Sequence, residues 1–477
     1  MDIGFYDDLG KYSNNIALIT EQSEQVSYNE LLGAADNIGK QIKKRCLVFA
    51  ICKNSFESVA GYIGFMRSRA VLTLINDTID NILFAKLLEV YKPEYIYLPT
   101  EKSGLKINCT IVHSYGSYTL LKTDCKIGYT LHDDLALLLS TSGSTGSQKL
   151  VRQSYKNIYS NANAIAQYLE ITNADRSITT MPMSYTYKLS IINSHLLKGA
   201  SMILTEATLM EKCFWEMIKN CKATTFGGVP YLYEMLKKLR FGQMNLPSLK
   251  YITQAGGRLS RELSVEFADI CEQKNMRFFT MYGQTEATAR MSYLPWEYAC
   301  KKAGSIGIPI PGGEFWLEDE NGNVIEESDT LGELVYQGEN VTLGYAENCF
   351  DLCKGDENRG VLRTGDVAKR DTDGFYYIVG RKKRFLKMFG HRVSLDEVEQ
   401  LIRTAGYDCA CAGTDDSLKI YVTNPNDKNR IKDYVVGHIG INQSGFGFVN
   451  IDKIPRNESG KVLYSALDQQ EGMDCDV

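Results

Sequence analysis

The sequence predicts an α/β protein with a large N-terminal domain of mostly parallel sheets, a β-rich subdomain, and a small α+β domain at the C-terminus. Three observations predict it. The 477 residues exceed what one hydrophobic core usually supports. Strand-length apolar runs alternate with helix-like amphipathic stretches in the N-terminal part, the pattern of a parallel α/β sheet. Farther on, glycine-bounded runs of β-formers appear, followed by a basic run and a further helical pattern.

Taken in order, Ser27 to Ile42 (SYNELLGAADNIGKQI) reads as a helix, because Ser27 and Glu30 have capping-box spacing. The runs Cys46 to Cys52, Ala70 to Ile75, Glu94 to Pro99 and Leu135 to Ser140 are strand-length and end at polar or turn residues. After Ser154, a plausible N-cap, Ile158, Ala162, Ile165, Ala166 and Leu169 mark one helix face. GELVYQG and GFYYIVG, within 332–380, predict the short-stranded β subdomain. A basic run from Arg381 to Arg392 precedes SLDEVEQLI, where Ser394 and Glu397 repeat the capping-box pattern. Leu395, Val398, Leu401 and Ile402 recur there at helical spacing, so the domain boundary is placed near Arg381, giving 1–380 and 381–477.

A 44% hydrophobic and 23% charged composition is that of an ordinary globular protein. A net charge of −5 argues against binding nucleic acid or anionic membrane through bulk charge. The 13 cysteines lack paired spacing with nearby histidines and read as reduced thiols, mostly core fillers. With no signal-like start and no apolar run long enough to span a membrane, the expectation is a cytoplasmic protein.

The stretch from Leu137 to Ile158 (LLLSTSGSTGSQKLVRQSYKNI) is the first with chemical content. Gly143 and Gly146 let the backbone approach an anion; Thr141, Ser142, Ser144 and Thr145 offer hydroxyls, and Lys149 a point charge. Strand, loop and helix is the context of a phosphate cradle. The Walker pattern is excluded, since Gln148 precedes Lys149 and Leu150 follows it, and the glycine spacing of a dinucleotide fingerprint is absent.

TSGSTGSQK resembles the phosphate loop of the acyl-adenylate-forming superfamily, which includes acyl-CoA synthetases, acyl- and aryl-carrier-protein ligases, nonribosomal adenylation domains and firefly luciferase. MYGQTEA (Met281 to Ala287), LRTGD (Leu362 to Asp366), GRKKRFLKMFGHRVSLDEVE (Gly380 to Glu399) and IPRNESGKV (Ile454 to Val462) follow in that family's order. GELVYQGENVTLGY (Gly332 to Tyr345) is a weaker match. The resemblance implies ATP-dependent activation of a carboxylic acid with release of pyrophosphate, then transfer to a thiol. A carboxylate is a poor electrophile because its leaving group would be oxide, whereas a mixed anhydride with AMP is open to attack. The chemistry therefore needs an ATP site that neutralises charge on the α-phosphate.

Each role implied by the resemblance falls on a residue of this chain. Thr141, Ser142, Gly143, Ser144, Thr145, Gly146 and Lys149 would wrap the terminal phosphates, with Gln148 standing where the family usually has proline. Ala255, Gly256 and Gly257 would form the turn along which adenine and acyl group lie. Tyr282, followed by Gly283, would stack on adenine; Thr285 would touch the α-phosphate and Glu286 would hold Mg2+, a hard cation suited to carboxylate and phosphate oxygens. Asp366 would accept the ribose hydroxyls, and Arg381 would reach ribose or phosphate. The C-terminal domain would be a mobile lid hinged near Lys383, presenting Lys461 for adenylation and Lys387 in a second conformation.

The acyl pocket would include Tyr185, Thr186, Lys188, Val229 and Pro230. Thr186 stands where amino-acid-activating members carry aspartate, so an α-amino acid is disfavoured. Lys188 has two readings: it recognises a second polar or anionic group on the acid, or it is an exposed lysine beside the pocket. His195 reads as a packed or surface histidine. The thiol belongs to another molecule, a separate carrier protein being slightly favoured over coenzyme A. A catalytically silent binding relative and an oxygenase of the luciferase kind are the rival classes; Glu286, Asp366 and Lys461 together argue against the silent one.

Overall fold

In a computed structural model the described residues are 4–104, 108–125, 128–140, 149–388, 391–415, 417–439, 445–456 and 460–467. The chain forms two compact units, Met1–Glu314 with Tyr336–Leu362, and Phe315–Val335 with Arg363–Val477.

The first unit holds two large mixed sheets. One has eight strands, ordered Gly344–Ala346, Leu150–Ser154, Leu135–Ser140, Val71–Asn76, Leu47–Cys52, Tyr95–Pro99, Tyr118–Thr123 and Cys109–Tyr115. The four strands read from apolar runs all form, and they pair in parallel with one another at the sheet centre. Buried on both faces, such strands show as continuous apolar runs. The second sheet has nine strands, and five consecutive pairings in it, from Ile16–Ile19 through Ser201–Ile203, Arg176–Ile178, Thr225–Gly228 and Tyr251–Gln254 to Arg277–Tyr282, are parallel. The expected fold class is borne out.

Helix Tyr28–Gly39 starts on the anticipated capping box between Ser27 and Glu30, and helix Tyr155–Tyr168 starts on Ser154, boxed with Asn157. One local expectation fails: Leu150–Ser154 is an antiparallel strand against Leu135–Ser140, so a strand stands between the loop and the helix. Its buried positions include Arg152 and Gln153, which hide the strand from an apolar pattern. Arg152 is fully buried because its guanidinium donates to the carbonyls of Leu343, Tyr345, Lys354 and Gly355 and pairs with Glu357. Those bonds staple the strand to its neighbour Gly344–Ala346.

The second unit contains most of a four-stranded sheet of Gly313–Glu318, Gly332–Gly338, Val361–Arg370 and Tyr376–Arg381. It also contains the ribbon Phe385–Met388 with His391–Ser394, and a three-stranded sheet packed on helices Leu395–Thr404 and Lys428–Ile439. Ser394 caps its helix by accepting from the Glu397 amide. Residues Phe315–Val335 and Arg363–Val477 group together, so the division of the chain does not fall at Arg381.

Twelve described cysteines are free thiols; seven are buried, and Cys213, Cys300 and Cys353 are exposed. Among the described residues no helix is long and apolar enough to cross a membrane.

Candidate functional site

Residues Thr141 to Gln148 of the expected phosphate loop lie outside the described residues; Lys149, at its end, is described. The Lys149 ammonium sits over the Tyr345 ring, 3.7 Å from its centroid, and 3.9 Å from a Glu347 oxygen. The Tyr345 hydroxyl donates to Glu286 Oε1 at 2.7 Å. Thr342 holds the same residue from behind, its amide and hydroxyl both donating to the Glu286 carbonyl. A lysine and a carboxylate from motifs far apart in sequence thus meet through one tyrosine. This donor set suits a hard cation: Tyr345 fixes one carboxylate oxygen of Glu286, and carboxylate oxygens are the ligands such a cation takes.

Strand Arg277–Tyr282 carries the adenine motif to its C-terminal end, where Gly283 allows the chain to fold back tightly. A Cβ on Gly283 would lie 1.7 Å from the Ala289 carbonyl oxygen, so no other residue fits. The turn Thr285–Ala287 follows, and Thr288 is held at φ 64°, a strained value for a β-branched residue. Its hydroxyl donates to the Asn340 carbonyl at 2.7 Å and secures that geometry. Gln284 Nε2 donates to the Tyr282 hydroxyl.

Thr285 is buried, and its hydroxyl lies 3.1 Å from that of Thr186, the first residue of helix Thr186–Leu197. Thr186 therefore meets the α-phosphate threonine of the expected site. The turn Ala255–Gly257 packs on the expected acyl-pocket residues. Gly256, at φ 85°, leaves only 2.5 Å between an added Cβ and the Tyr185 hydroxyl, and 3.1 Å to Val229; Gly257 lies as close to Pro230. These positions are brought together as the motifs implied.

Lys188 is 3% exposed, which removes the reading of an exposed lysine. Its amine donates to the Thr179 carbonyl at 3.4 Å, and burial, opposed by Glu206, lowers its pKa to about 8. His195 is packed, as expected: its Nδ1–H donates to the Ile191 carbonyl, and burial brings its pKa down to about 4.

In the second unit, Asp366 and Arg381 are register partners on adjacent strands and form an ion pair at 2.6 Å, with the carboxylate buried and the guanidinium half exposed. Lys383 lies in the exposed turn Lys382–Arg384. Lys387 sits on Phe385–Met388, opposite Arg392. Lys461 follows Gly460, in a turn closed by the bridge between Arg456 and Val462. Just after it, Tyr464 donates to the buried Glu399, which also binds Arg384 and Arg403.

Residues 5–346 match the family described as AMP-binding enzyme. The chain belongs to the AMP-binding enzyme family. A 2-succinylbenzoate–CoA ligase of Bacillus licheniformis is 26% identical over 345 residues, 70% of each chain. An oxalate–CoA ligase of Arabidopsis thaliana is 30% identical over 277 residues, 57% of this chain and 53% of its own. The O-succinylbenzoate coenzyme A synthetase of Bacillus subtilis in complex with ATP and magnesium ion shares the fold, with a TM-score of 0.78 at 21% identity over 97% of this chain and 99% of that one. The acyl-adenylate-forming resemblance and the expected ligase class are thus borne out. The preference for a carrier protein is not supported, since these AMP-binding relatives carry coenzyme A in their names.

Sequence reasoning missed Tyr345, which holds the Glu286 carboxylate, and Asn340, which braces the chain just after it. Tyr345 closes a quoted motif, so its place was visible although its contact with Glu286 was not. Asn340 donates both to Ala287 and to Arg290, a pairing no local pattern announces.

Proposed function

We propose that this AMP-binding enzyme joins a carboxylic acid to coenzyme A in two steps at the cost of one ATP. The acid's carboxylate attacks the α-phosphorus, giving an acyl-adenylate and pyrophosphate. The thiol of coenzyme A then attacks the acyl carbon, giving a thioester and releasing AMP. What carries this reading is the junction of Lys149, Tyr345 and Glu286, which sets a cation and a carboxylate side by side where a nucleotide's phosphates and their metal need both.

Lys149 binds the terminal phosphates together with Thr141, Ser142, Gly143, Ser144, Thr145 and Gly146, and so stabilises the pyrophosphate as it departs. Glu286 holds Mg2+, which when bound offsets phosphate charge. Thr285, oriented by Thr186, donates to the α-phosphate. Tyr282 and Gly283 line the adenine, with Ala255, Gly256 and Gly257 beneath it. Asp366 accepts the ribose hydroxyls, its carboxylate oriented by the ion pair with Arg381. Lys461 supports the carboxylate as it attacks, and Lys387 replaces it for thioester formation after rotation about Lys383. Tyr185, Thr186, Lys188, Val229 and Pro230 belong to the wall around the acid.

Acid-dependent exchange of labelled pyrophosphate into ATP, over aliphatic, aryl and hydroxy acids including 2-succinylbenzoate and oxalate, tests the first step. An active acid is then offered with coenzyme A or with a phosphopantetheinylated carrier protein. Consumption of free coenzyme A is the expected result, and loading of the carrier alone would overturn that choice of acceptor. Silence across the panel with magnesium present would favour a binding protein without catalysis.

A further inference from the structure

Arg290 is 3% exposed and lies four residues beyond Glu286, yet no carboxylate among the described residues pairs with it. Its backbone is clamped: Asn161 and Asn340 both donate to its carbonyl, and its amide donates back to Asn161. Its side chain is held less: the guanidinium has the Tyr168 phenol as a hydrogen-bond partner and otherwise a ring face. The guanidinium carbon stands 3.9 Å from the centroid of the Tyr187 ring, and Nε is buried with no hydrogen-bond partner. Taking a full positive charge out of water without an anion or a full set of acceptors is costly, and a ring face returns only about 1–2 kcal/mol. A protein that keeps an arginine there keeps it for something that arrives.

The surroundings say where that something arrives. Tyr168, Tyr185 and Tyr187 all feel the guanidinium charge, which opposes the effect of burial on their phenols. Tyr187 is anchored to Thr253 through its hydroxyl, and Tyr185 reaches the Gly256 turn beside Val229. Of the three tyrosines only Tyr185 is partly exposed, and it is one of the expected acyl-pocket residues. Lys188, the cation singled out in the sequence, spends its hydrogen bond on Thr179.

We infer that Arg290 is the specificity residue of the acyl pocket and binds a second carboxylate, so that the enzyme's substrates are dicarboxylic acids. The inference rests on the ligase reading above and names the class of acid. One carboxylate is adenylated at Thr285 and Glu286; the other makes charge-assisted, fork-shaped hydrogen bonds to the guanidinium, a geometry lysine does not reproduce. A neutral group in its place leaves the charge without an anion and the Nε–H unpaired, as in the free protein. Discrimination should then be strong.

The test pairs aliphatic and aryl dicarboxylates with their own monoamides, which keep size, shape and one carboxylate, and reads pyrophosphate exchange together with calorimetric binding of each acid without ATP. Wild type should prefer a dicarboxylate over its monoamide by about 10²-fold or more. Arg290→Met and Arg290→Gln should bring the ratio to within about threefold by losing the dicarboxylate alone, and Arg290→Lys should recover only part of it. A wild-type ratio near one overturns the inference whatever the variants do, as does an equal loss on both acids or exchange with monocarboxylic acids only. That last outcome spares the ligase reading. Calorimetric binding of a dicarboxylate that Arg290→Met abolishes supports the site even where exchange is absent and the ligase reading fails. Neither binding nor exchange with any dicarboxylate overturns it.

Discussion

At the scale of single residues, Tyr345 joins two functions with one side chain, its ring under the Lys149 ammonium and its hydroxyl on the Glu286 carboxylate. Tyr345→Phe separates them. The ring contact survives, the carboxylate loses the hydroxyl that fixes one oxygen, and the apparent affinity for Mg2+ should fall by about 10- to 100-fold, the order expected when a partner of a metal ligand is lost. Calorimetric titration of Mg2+ into enzyme with a non-hydrolysable ATP analogue checks it, while binding of the metal-free analogue stays within about twofold, as a ring contact on Lys149 would allow. Lys188 gives a pH signature. Its folded pKa of about 8 lies below the ordinary lysine value, so the unfolded chain holds a proton that the folded one lacks between about pH 8 and pH 10.5. Stability from this group therefore rises with pH across that window, and the whole cost is present below it. Lys188→Met should raise unfolding free energy by about 2–3 kcal/mol at pH 7, and the gain should shrink as pH passes 9, read from denaturant midpoints at the two pH values.

At the scale of elements, the sequence announced strands and helices wherever burial was carried by apolar residues. Leu47–Cys52, Val71–Asn76, Tyr95–Pro99 and Leu135–Ser140 formed as read, because central parallel strands write themselves as unbroken apolar runs. Leu150–Ser154 stayed hidden, since its buried places go to an arginine and a glutamine whose partners come from another part of the chain. That arginine makes a test. Arg152→Met leaves the carbonyls of Leu343, Tyr345, Lys354 and Gly355 without their donor, and should lower stability by about 3 kcal/mol or more. Chemical denaturation measures the loss, and Arg152→Lys should restore only part of it.

At the scale of the whole molecule, the motifs were legible because transfer chemistry demands particular groups at particular points of the chain. Glu286, Asp366 and Lys461 each sit in a short motif whose sequence declares itself. Arg290 did not declare itself, as a lone arginine after a strained threonine matches no pattern until Asn161, Asn340 and the tyrosines are seen around it. The choice of acceptor thiol had no motif to read it from, whereas the adenylating chemistry had several. The division of labour between Lys461 and Lys387 is open to experiment. Lys461→Ala should slow adenylate formation by at least about 10²-fold while thioester formation from supplied acyl-adenylate is largely kept. Stopped-flow measurement of each half-reaction separately reads the difference, and equal losses in both would remove the two-conformation scheme.

The short strand Gly344–Ala346 has a further effect on the history of the chain. It lies at the margin of the eight-stranded sheet, directly against Leu150–Ser154, which otherwise would end that sheet with open amides and carbonyls. A nascent or clipped chain that stops before Leu343 therefore carries a bare, ready-made template for pairing with a second molecule. Synthesis of Gly344–Ala346 covers that margin and delivers Tyr345 to Glu286 in the same act, so protection from self-association and the setting of the Glu286 carboxylate mature together.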